Sequence, residues 1–150
     1  MIFVDTNVFI NYLYETSLSD KAEKILSMEE ELCISGIVIN ETLFVIARTK
    51  AFNKLGIKNI HAFRDYISKK GYSFCERDFK DFYNLLDSSE VDIFQDQLDR
   101  DEFILLMRKY NLLPNDALIA ATCKHHGINK IATFDPDFKR VDFLEIIPIP

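Results

Sequence analysis

The chain has 150 residues, enough for one domain, and its 48% hydrophobic content with only 4 Gly and 4 Pro excludes a disordered, collagen-like or disulfide-scaffold protein. The apolar runs are too short to cross a bilayer and the first residues lack the basic segment of a signal peptide, so we expect a cytoplasmic protein without membrane association. The net charge of −6 argues against nucleic-acid binding through bulk charge alone.

Short apolar strands alternate with helical segments in the first part of the chain. Hydrophobic periodicity predicts a strand at residues 2–4, a helix at 7–15, a helix from 17 or 19 to 28, and a strand at 32–34. Residues 37–50 are ambiguous, because their β-branched start fits a strand whereas their length favours a helix.

The same alternation continues through the rest of the chain. The pattern predicts helices at 57–70 and 76–87, a strand at 91–94, helices at 96–110 and 114–126, and strands at 131–134 and 144–147. Strands that alternate with helices are typical of an α/β domain with a mainly parallel sheet. We therefore predict a single α/β domain over residues 1–150.

Four carboxylates lie where a parallel sheet binds ligands. Asp5 ends the first strand and Asp135 ends the fourth, and ligands bind outside the carboxyl ends of such strands. Asp116 opens an otherwise apolar helix, and Glu41 lies inside the apolar segment 37–50. Carboxylates that share a crevice repel one another, so the partner they favour is a hard divalent cation, Mg²⁺ or Mn²⁺, which suits phosphodiester chemistry.

Each acid taken alone also has a purely structural interpretation. Asp5 fits an N-cap of the first helix, and Asp116 fits a side chain that complements a helix dipole. Asp135 fits a turn before a proline, and Glu41 fits a solvent-facing rim. If the four acids instead share a crevice, we expect their mutual repulsion to raise the pKa of at least one of them.

Four motifs follow one another across nearly the whole chain: Ile2-Phe3-Val4-Asp5-Thr6-Asn7, Ser35 with Glu41, Asn115-Asp116-Ala117-Leu118-Ile119-Ala120-Ala121, and Ala132-Thr133-Phe134-Asp135. In this order they resemble the PIN domain family of metal-dependent ribonucleases, especially VapC-type toxins of prokaryotic toxin–antitoxin pairs. The resemblance implies a three-layer α/β/α fold around a short five-stranded, mainly parallel sheet in the order 3-2-1-4-5. It also implies a homodimer and, for a toxin, an antitoxin partner.

The resemblance also assigns a metal site and a reaction. It implies that Mg²⁺ or Mn²⁺ is held by Asp5, Asp116 and Asp135, and that Glu41 is a further ligand or orients the attacking water. The supporting positions that it implies are Thr133, Asn7 and Asp137. The implied reaction is the hydrolysis of RNA phosphodiester bonds by in-line attack of water.

Other interpretations of the acidic motifs fit less well or stay open. A haloacid-dehalogenase-type phosphatase has a D-x-D motif where this chain has Asp5-Thr6-Asn7, and a response-regulator receiver needs a strand-end Lys that is missing after the fourth strand. A non-catalytic PIN-like module that binds RNA or protein without cutting remains the alternative function.

RNA binding requires cations near the acidic site, since carboxylates repel phosphates. Residues 48–70 carry seven Lys/Arg against one acid, which predicts an RNA-binding rim formed by Arg48, Lys50, Lys54 and Lys58. The alternative is a charged face that is merely solvated. An antitoxin would present an Arg or Lys to the acids and lay an apolar segment on the predicted helices 37–47 and 57–67.

Overall fold

The computed structural model describes residues 1–148; Ile149 and Pro150, at the end of the predicted domain, lie outside the described residues. The strands are β1 (Ile2–Val4), β2 (Leu32–Ser35), β3 (Asp92–Phe94), β4 (Lys130–Ala132) and β5 (Glu145–Ile146). The helices are α1 (Thr6–Leu13), α2 (Ser19–Leu26), α3 (Gly36–Leu55), α4 (Ile60–Lys70), α5 (Glu76–Ser88), α6 (Arg100–Tyr110) and α7 (Pro114–His125), with a 3-10 helix at Pro136–Arg140. Among residues 1–148, no helix is long and apolar enough to span a membrane.

The five strands form a parallel sheet in the order β3-β2-β1-β4-β5, which confirms the predicted α/β class and strand order. The central strand is β1, in which Phe3 pairs with Cys33 on one side and with Ile131 on the other. All three residues of β1 are buried, as expected for a parallel sheet covered by helices. The chain runs from β1 out to β3 and returns to β4 beside β1, which opens a crevice at the carboxyl ends of β1 and β4.

The apolar core joins the sheet to the helices and leaves a smaller cluster between helices. In the main core, Phe9 of α1 meets Phe82 of α5 edge-on, with ring centroids 5.4 Å apart. The smaller cluster joins α3 to α4 and to the start of α5, through Ala47, Ala51, Phe63 and Cys75. Because this cluster fixes α3 against its neighbours, it also fixes the helix that carries Glu41.

Several predicted boundaries differ from the structure. The ambiguous segment 37–50 is helical and lies within the 20-residue α3; the pairing of β2 stops at Ser35, so the β-branched residues after it have no strand to pair with. Helix α6 begins at Arg100 rather than at 96, because Asp99 accepts a hydrogen bond from the N–H of Glu102 (2.9 Å) and caps the helix there. The fourth strand ends at Ala132, two residues earlier than predicted.

Candidate active site

A cleft of about 290 Å³ lies beside the carboxyl ends of β1 and β4. Its lining includes the four acids that the sequence singled out, Asp5, Glu41, Asp116 and Asp135. They come from β1, α3, α7 and the segment after β4, so tertiary folding is what brings them together. The lining residues that sequence reasoning missed are Ile10, Asn11 and Val45. Helical spacing from Asn7 and Glu41 would have found them.

Asp5 is buried at the end of β1 and accepts three hydrogen bonds. Its Oδ1 accepts from the N–H of Thr6 (2.7 Å), so it caps α1 and faces the cleft at once. Its Oδ2 accepts from the Asn7 amide (2.6 Å) and the Thr133 hydroxyl (2.7 Å). Burial raises the pKa of Asp5 to about 6, and the charges of Asp116 and Glu41 add to that rise, while the hydrogen bonds from Thr133 and Thr6 oppose it.

Thr133 and Asn7 connect the ends of β1 and β4. The Thr133 hydroxyl donates to Asp5 and accepts from the backbone N–H of Asp135 (2.9 Å) and from the Asn7 amide (3.0 Å). The side-chain oxygen Oδ1 of Asn7 accepts in turn from the backbone N–H of Phe134 (3.0 Å). These bonds set the distance between the two strand ends that carry Asp5 and Asp135.

Glu41 lies in α3 and faces the cleft rather than a solvent rim. Its Oε2 accepts a hydrogen bond from the Thr6 hydroxyl (3.0 Å). This bond joins α3 to the first residue of α1, next to Asp5. A half-buried carboxylate held in this way keeps its second oxygen available to a ligand in the cleft.

Asp116 lies in the first turn of α7 and has a perturbed pKa. Burial raises that pKa to about 6, with further increases from the charges of Asp135, Glu41 and Asp137, and with an opposing effect of Arg140. The expectation of a raised pKa therefore holds at Asp116 and Asp5, but repulsion between carboxylates is only a secondary cause. Burial comes first because taking a carboxylate out of water disfavours its charged form.

In the described part of the chain, the carboxylates of Asp116, Asp135 and Asp137 form one close group, which does not include the predicted ligands Asp5 and Glu41. One oxygen from each lies within 4.8 Å of the others. Asp135 also caps the 3-10 helix, since its Oδ1 accepts from the backbone N–H of Asp137 (2.8 Å). Three converging carboxylate oxygens are the donor set that Mg²⁺ and Mn²⁺ prefer, so these residues fit such an ion. Asp137, predicted as a supporting residue, thus lies close enough to Asp116 and Asp135 to be a ligand itself.

Arg140 is a neighbour of this group that sequence reasoning did not consider. Its Nη1 lies 2.7 Å from Oδ1 of Asp137, an ion pair three residues apart in the 3-10 helix. This pairing lowers the pKa of Asp137. The spacing of an acid and a base at i and i+3 is the sequence signal that could have pointed to it.

The predicted RNA-binding cations have different surroundings. Arg48 donates to the backbone carbonyls of Lys58 (3.2 Å) and Asn59 (3.3 Å), and its guanidinium lies over the Phe63 ring. Lys50 forms an ion pair with Asp78 (2.8 Å), and Lys54 donates to the backbone carbonyl of Phe74 (3.3 Å). The exposed side chain of Lys58 has no such partner within residues 1–148. Three of the four cations therefore bind other parts of the same chain.

Comparison with known proteins relates the whole chain to one family. A family model described as "PIN domain" matches residues 2–144. The chain is 34% identical to Ribonuclease VapC6 of Methanocaldococcus jannaschii, with 97% of this chain and 95% of that protein covered. It is 37% identical to Ribonuclease VapC2 of the same organism, with coverages of 99% and 93%. A solved toxin–antitoxin complex from Klebsiella pneumoniae has a chain of the same fold, with a TM-score of 0.62, 17% identity and 97% of each chain covered.

Proposed function

The chain belongs to the PIN domain family, and we propose that it is a divalent-metal-dependent endoribonuclease, the toxin of a prokaryotic toxin–antitoxin pair. The observation that carries this proposal is the convergence of four carboxylates, distant in sequence, on one cleft at the carboxyl ends of parallel strands. The ribonuclease names of two relatives support RNA as the substrate, and the Klebsiella complex supports an antitoxin as a partner. We further propose that it acts in the cytoplasm as a homodimer, each chain a single domain over residues 1–150.

In this proposal Asp5, Asp116 and Asp135 would hold the metal directly or through water. A bound Mg²⁺ or Mn²⁺ polarises the scissile phosphate and makes a water more acidic. Asp5 keeps its orientation because the Thr133 hydroxyl and the Asn7 amide both hold its Oδ2. These bonds leave the carboxylate fixed before any substrate enters, which lowers the cost of assembling the site.

Glu41 orients the attacking water or serves as a further ligand. The Thr6 hydroxyl, at the start of α1 beside Asp5, donates to Oε2 of Glu41. This bond fixes the orientation of the carboxylate and therefore of its other oxygen. Attack in line with the leaving 3′ oxygen yields a 5′-phosphate and a 3′-hydroxyl. No side chain forms a covalent intermediate in this reaction.

RNA would be held by cations around the cleft, because the carboxylates repel its phosphates. Among the four cations predicted for this role, Lys58 is the best candidate to bind a phosphate, because its side chain is exposed and unpaired in the described part of the chain. Arg48, Lys50 and Lys54 would contribute only by exchanging their present partners for phosphates.

Cleavage of a structured RNA in Mn²⁺ tests the proposed activity. We expect Asp5→Asn and Asp116→Asn to lower the cleavage rate by at least about 100-fold while the protein stays folded, because each removes a carboxylate from the metal site. Asp65→Asn is the matched control, since Asp65 is an exposed acid whose side chain, within residues 1–148, pairs only with Lys69. An unchanged rate in Asp5→Asn would contradict the assignment, and RNA binding without cleavage by the unaltered protein would favour the non-catalytic module.

An antitoxin segment has a suitable surface next to the cleft. Helices α3, α4 and α5 border an apolar groove of about 330 Å³ whose lining includes Phe44, Phe63 and Tyr72. Phe44 is 50% exposed there and follows Glu41 by less than one helical turn. We propose that the apolar segment of the antitoxin docks in this groove and that its Arg or Lys reaches the acids. Phe44→Ser should then weaken inhibition by the antitoxin and leave cleavage intact, whereas Phe52→Ser, an exposed aromatic outside the groove lining, should change neither.

A further inference from the structure

Arg140 makes hydrogen bonds to two separate parts of the chain. Its Nε donates to the backbone carbonyl of Tyr110 (2.7 Å) and its Nη2 to that of Asn111 (3.0 Å). Its Nη1 donates to Oδ1 of Asp137 (2.7 Å). The planar guanidinium can satisfy all three acceptors at once, whereas an ammonium group of lysine cannot reach the same set.

The two carbonyls belong to the segment that leads into the acidic site. Tyr110 ends α6, and Asn111 follows it with a φ of 51°, a left-handed conformation that stops the helix. From there only a short turn separates the chain from α7, whose first turn carries Asp116. These two bonds therefore anchor the Arg140 guanidinium to the segment that precedes α7.

The third acceptor, Asp137, is a partly exposed member of the acidic group. Its side chain is 39% exposed and lies in a five-residue 3-10 helix. Its carboxylate nevertheless lies within 4.8 Å of those of Asp116 and Asp135, where like charges favour rotation away into solvent. The bond from Arg140 opposes that rotation, because it fixes one carboxylate oxygen in a defined place.

We infer that Arg140 is a positioning residue of the metal site: it holds the Asp137 carboxylate beside Asp116 and Asp135 and so sets the affinity for the divalent ion. This inference rests on the proposed function, in which the acidic group binds Mg²⁺ or Mn²⁺. Arg140 acts through Asp137 and does not contact the ion. Residues that orient metal ligands in this way commonly change metal affinity by 10–100-fold when they are altered.

Charge and geometry predict opposite effects of removing Arg140, which makes the inference testable. If Arg140 matters only through its positive charge, Arg140→Met should tighten Mn²⁺ binding, because a cation near the site repels the ion. If Arg140 positions Asp137, the same variant should weaken Mn²⁺ binding by about 10-fold or more. Lys139→Met is the matched control, since Lys139 is an exposed neighbour on the same 3-10 helix without an ion pair in the described residues.

The experiment measures the Kd for Mn²⁺ alone by calorimetry and the melting temperature with EDTA and with Mn²⁺. We expect Arg140→Met to weaken Mn²⁺ binding and to reduce the upward shift of melting temperature on adding Mn²⁺, with Lys139→Met equal to or tighter than the unaltered protein. Arg140→Lys keeps the charge but loses the set of three bonds, and it should also weaken binding. If Arg140→Met does not fold, the Mn²⁺ affinity of Arg140→Lys is the test.

A double-mutant cycle identifies the residue through which Arg140 acts. Asp137→Asn/Arg140→Met should bind Mn²⁺ no more weakly than Asp137→Asn alone, because Arg140 then has no carboxylate left to position. An unchanged or tighter Kd in both Arg140 variants, or additive effects in the cycle, would overturn the inference. If the unaltered protein itself fails to bind Mn²⁺, the proposed function fails instead.

Discussion

Two of the carboxylates in the cleft, those of Asp5 and Asp135, stabilise the backbone and also face the site. Asp5 caps α1 through the N–H of Thr6, and Asp135 caps the 3-10 helix through the N–H of Asp137. Their structural and functional interpretations are therefore compatible, since one oxygen caps a helix while the carboxylate still borders the cleft. A cap also restricts the carboxylate to one rotamer, which is what a metal ligand requires.

The perturbed acids predict how the stability of the metal-free protein depends on pH. The pKa of Asp5 is about 6 in the folded protein and near 3.8 in an unfolded chain, so the folded state binds more protons between these values. The free energy of unfolding should therefore fall as pH rises from about 4 to about 6 and then level off. Asp116, with a pKa of about 6, contributes in the same direction.

Asp5→Asn should remove its share of this decline, at most about 3 kcal/mol. Urea unfolding in EDTA at several pH values measures the difference between the two proteins. The control Asp65→Asn should keep the unaltered slope, because Asp65 is exposed and distant from the cleft lining. Equal slopes for Asp5→Asn and the unaltered protein would contradict the prediction.

Loss of the Thr133 hydroxyl is expected to affect both stability and metal affinity. Thr133→Val keeps the shape of the side chain but removes a hydroxyl that donates to Asp5 and accepts from the N–H of Asp135. Because both partners are partly or fully buried, we expect a loss of about 1–3 kcal/mol in the free energy of unfolding and a weaker affinity for Mn²⁺. Thr49→Val in α3 should cost little, as the Thr49 hydroxyl has no hydrogen-bond partner within residues 1–148. Equal losses in the two variants would contradict a specific role for Thr133.

At the scale of elements, α3 connects the acidic site to the α4–α5 pair. Its cations bind neighbouring segments: Arg48 the turn before α4, Lys50 the side chain of Asp78 in α5, and Lys54 the turn before α5. Three of the seven cations in residues 48–70 thus hold neighbouring segments against α3. The N-terminal half of the same helix places Glu41 in the cleft.

Arg48 and Lys58 separate this structural role from RNA binding. Arg48→Met should lower the free energy of unfolding by about 1 kcal/mol and speed amide exchange at residues 57–59, because two carbonyls lose their donor. Lys58→Met should leave stability unchanged, weaken RNA binding and reduce the salt slope of binding by about one. Equilibrium unfolding and binding at several salt concentrations measure both. A salt slope that stays constant in Lys58→Met would show that Lys58 lies away from the RNA.

At the scale of the whole molecule, several large apolar side chains stay exposed near α6. Leu98, Leu105 and Leu113 are 66%, 58% and 68% exposed. Contiguous apolar surface marks contacts with other chains. We propose that the homodimer covers these three leucines.

Light scattering tests the homodimer directly. We expect a mass of twice the 17.5 kDa chain at micromolar concentration, with dissociation on dilution if the interface is small. Measurements with EDTA and with Mn²⁺ should agree, because the exposed leucines are absent from the cleft lining. A monomer at every concentration would contradict the prediction.

The sequence by itself determined the fold class, the strand order through its family motifs, and the positions of Asp5, Glu41, Asp116 and Asp135. These follow from local signals, because a buried strand, an acid at its end and an apolar helix after an acid are each written in a few consecutive residues. Tertiary structure decided which partners those residues have. It placed Asp137 in one group with Asp116 and Asp135 and paired it with Arg140. It bound Arg48 to the turn before α4, and it made burial the main cause of the raised pKa of Asp5. Asp5 is buried and held by Thr133, 128 residues away, and Arg48 is bound by the turn before α4, so periodicity and spacing along the sequence do not predict these partners.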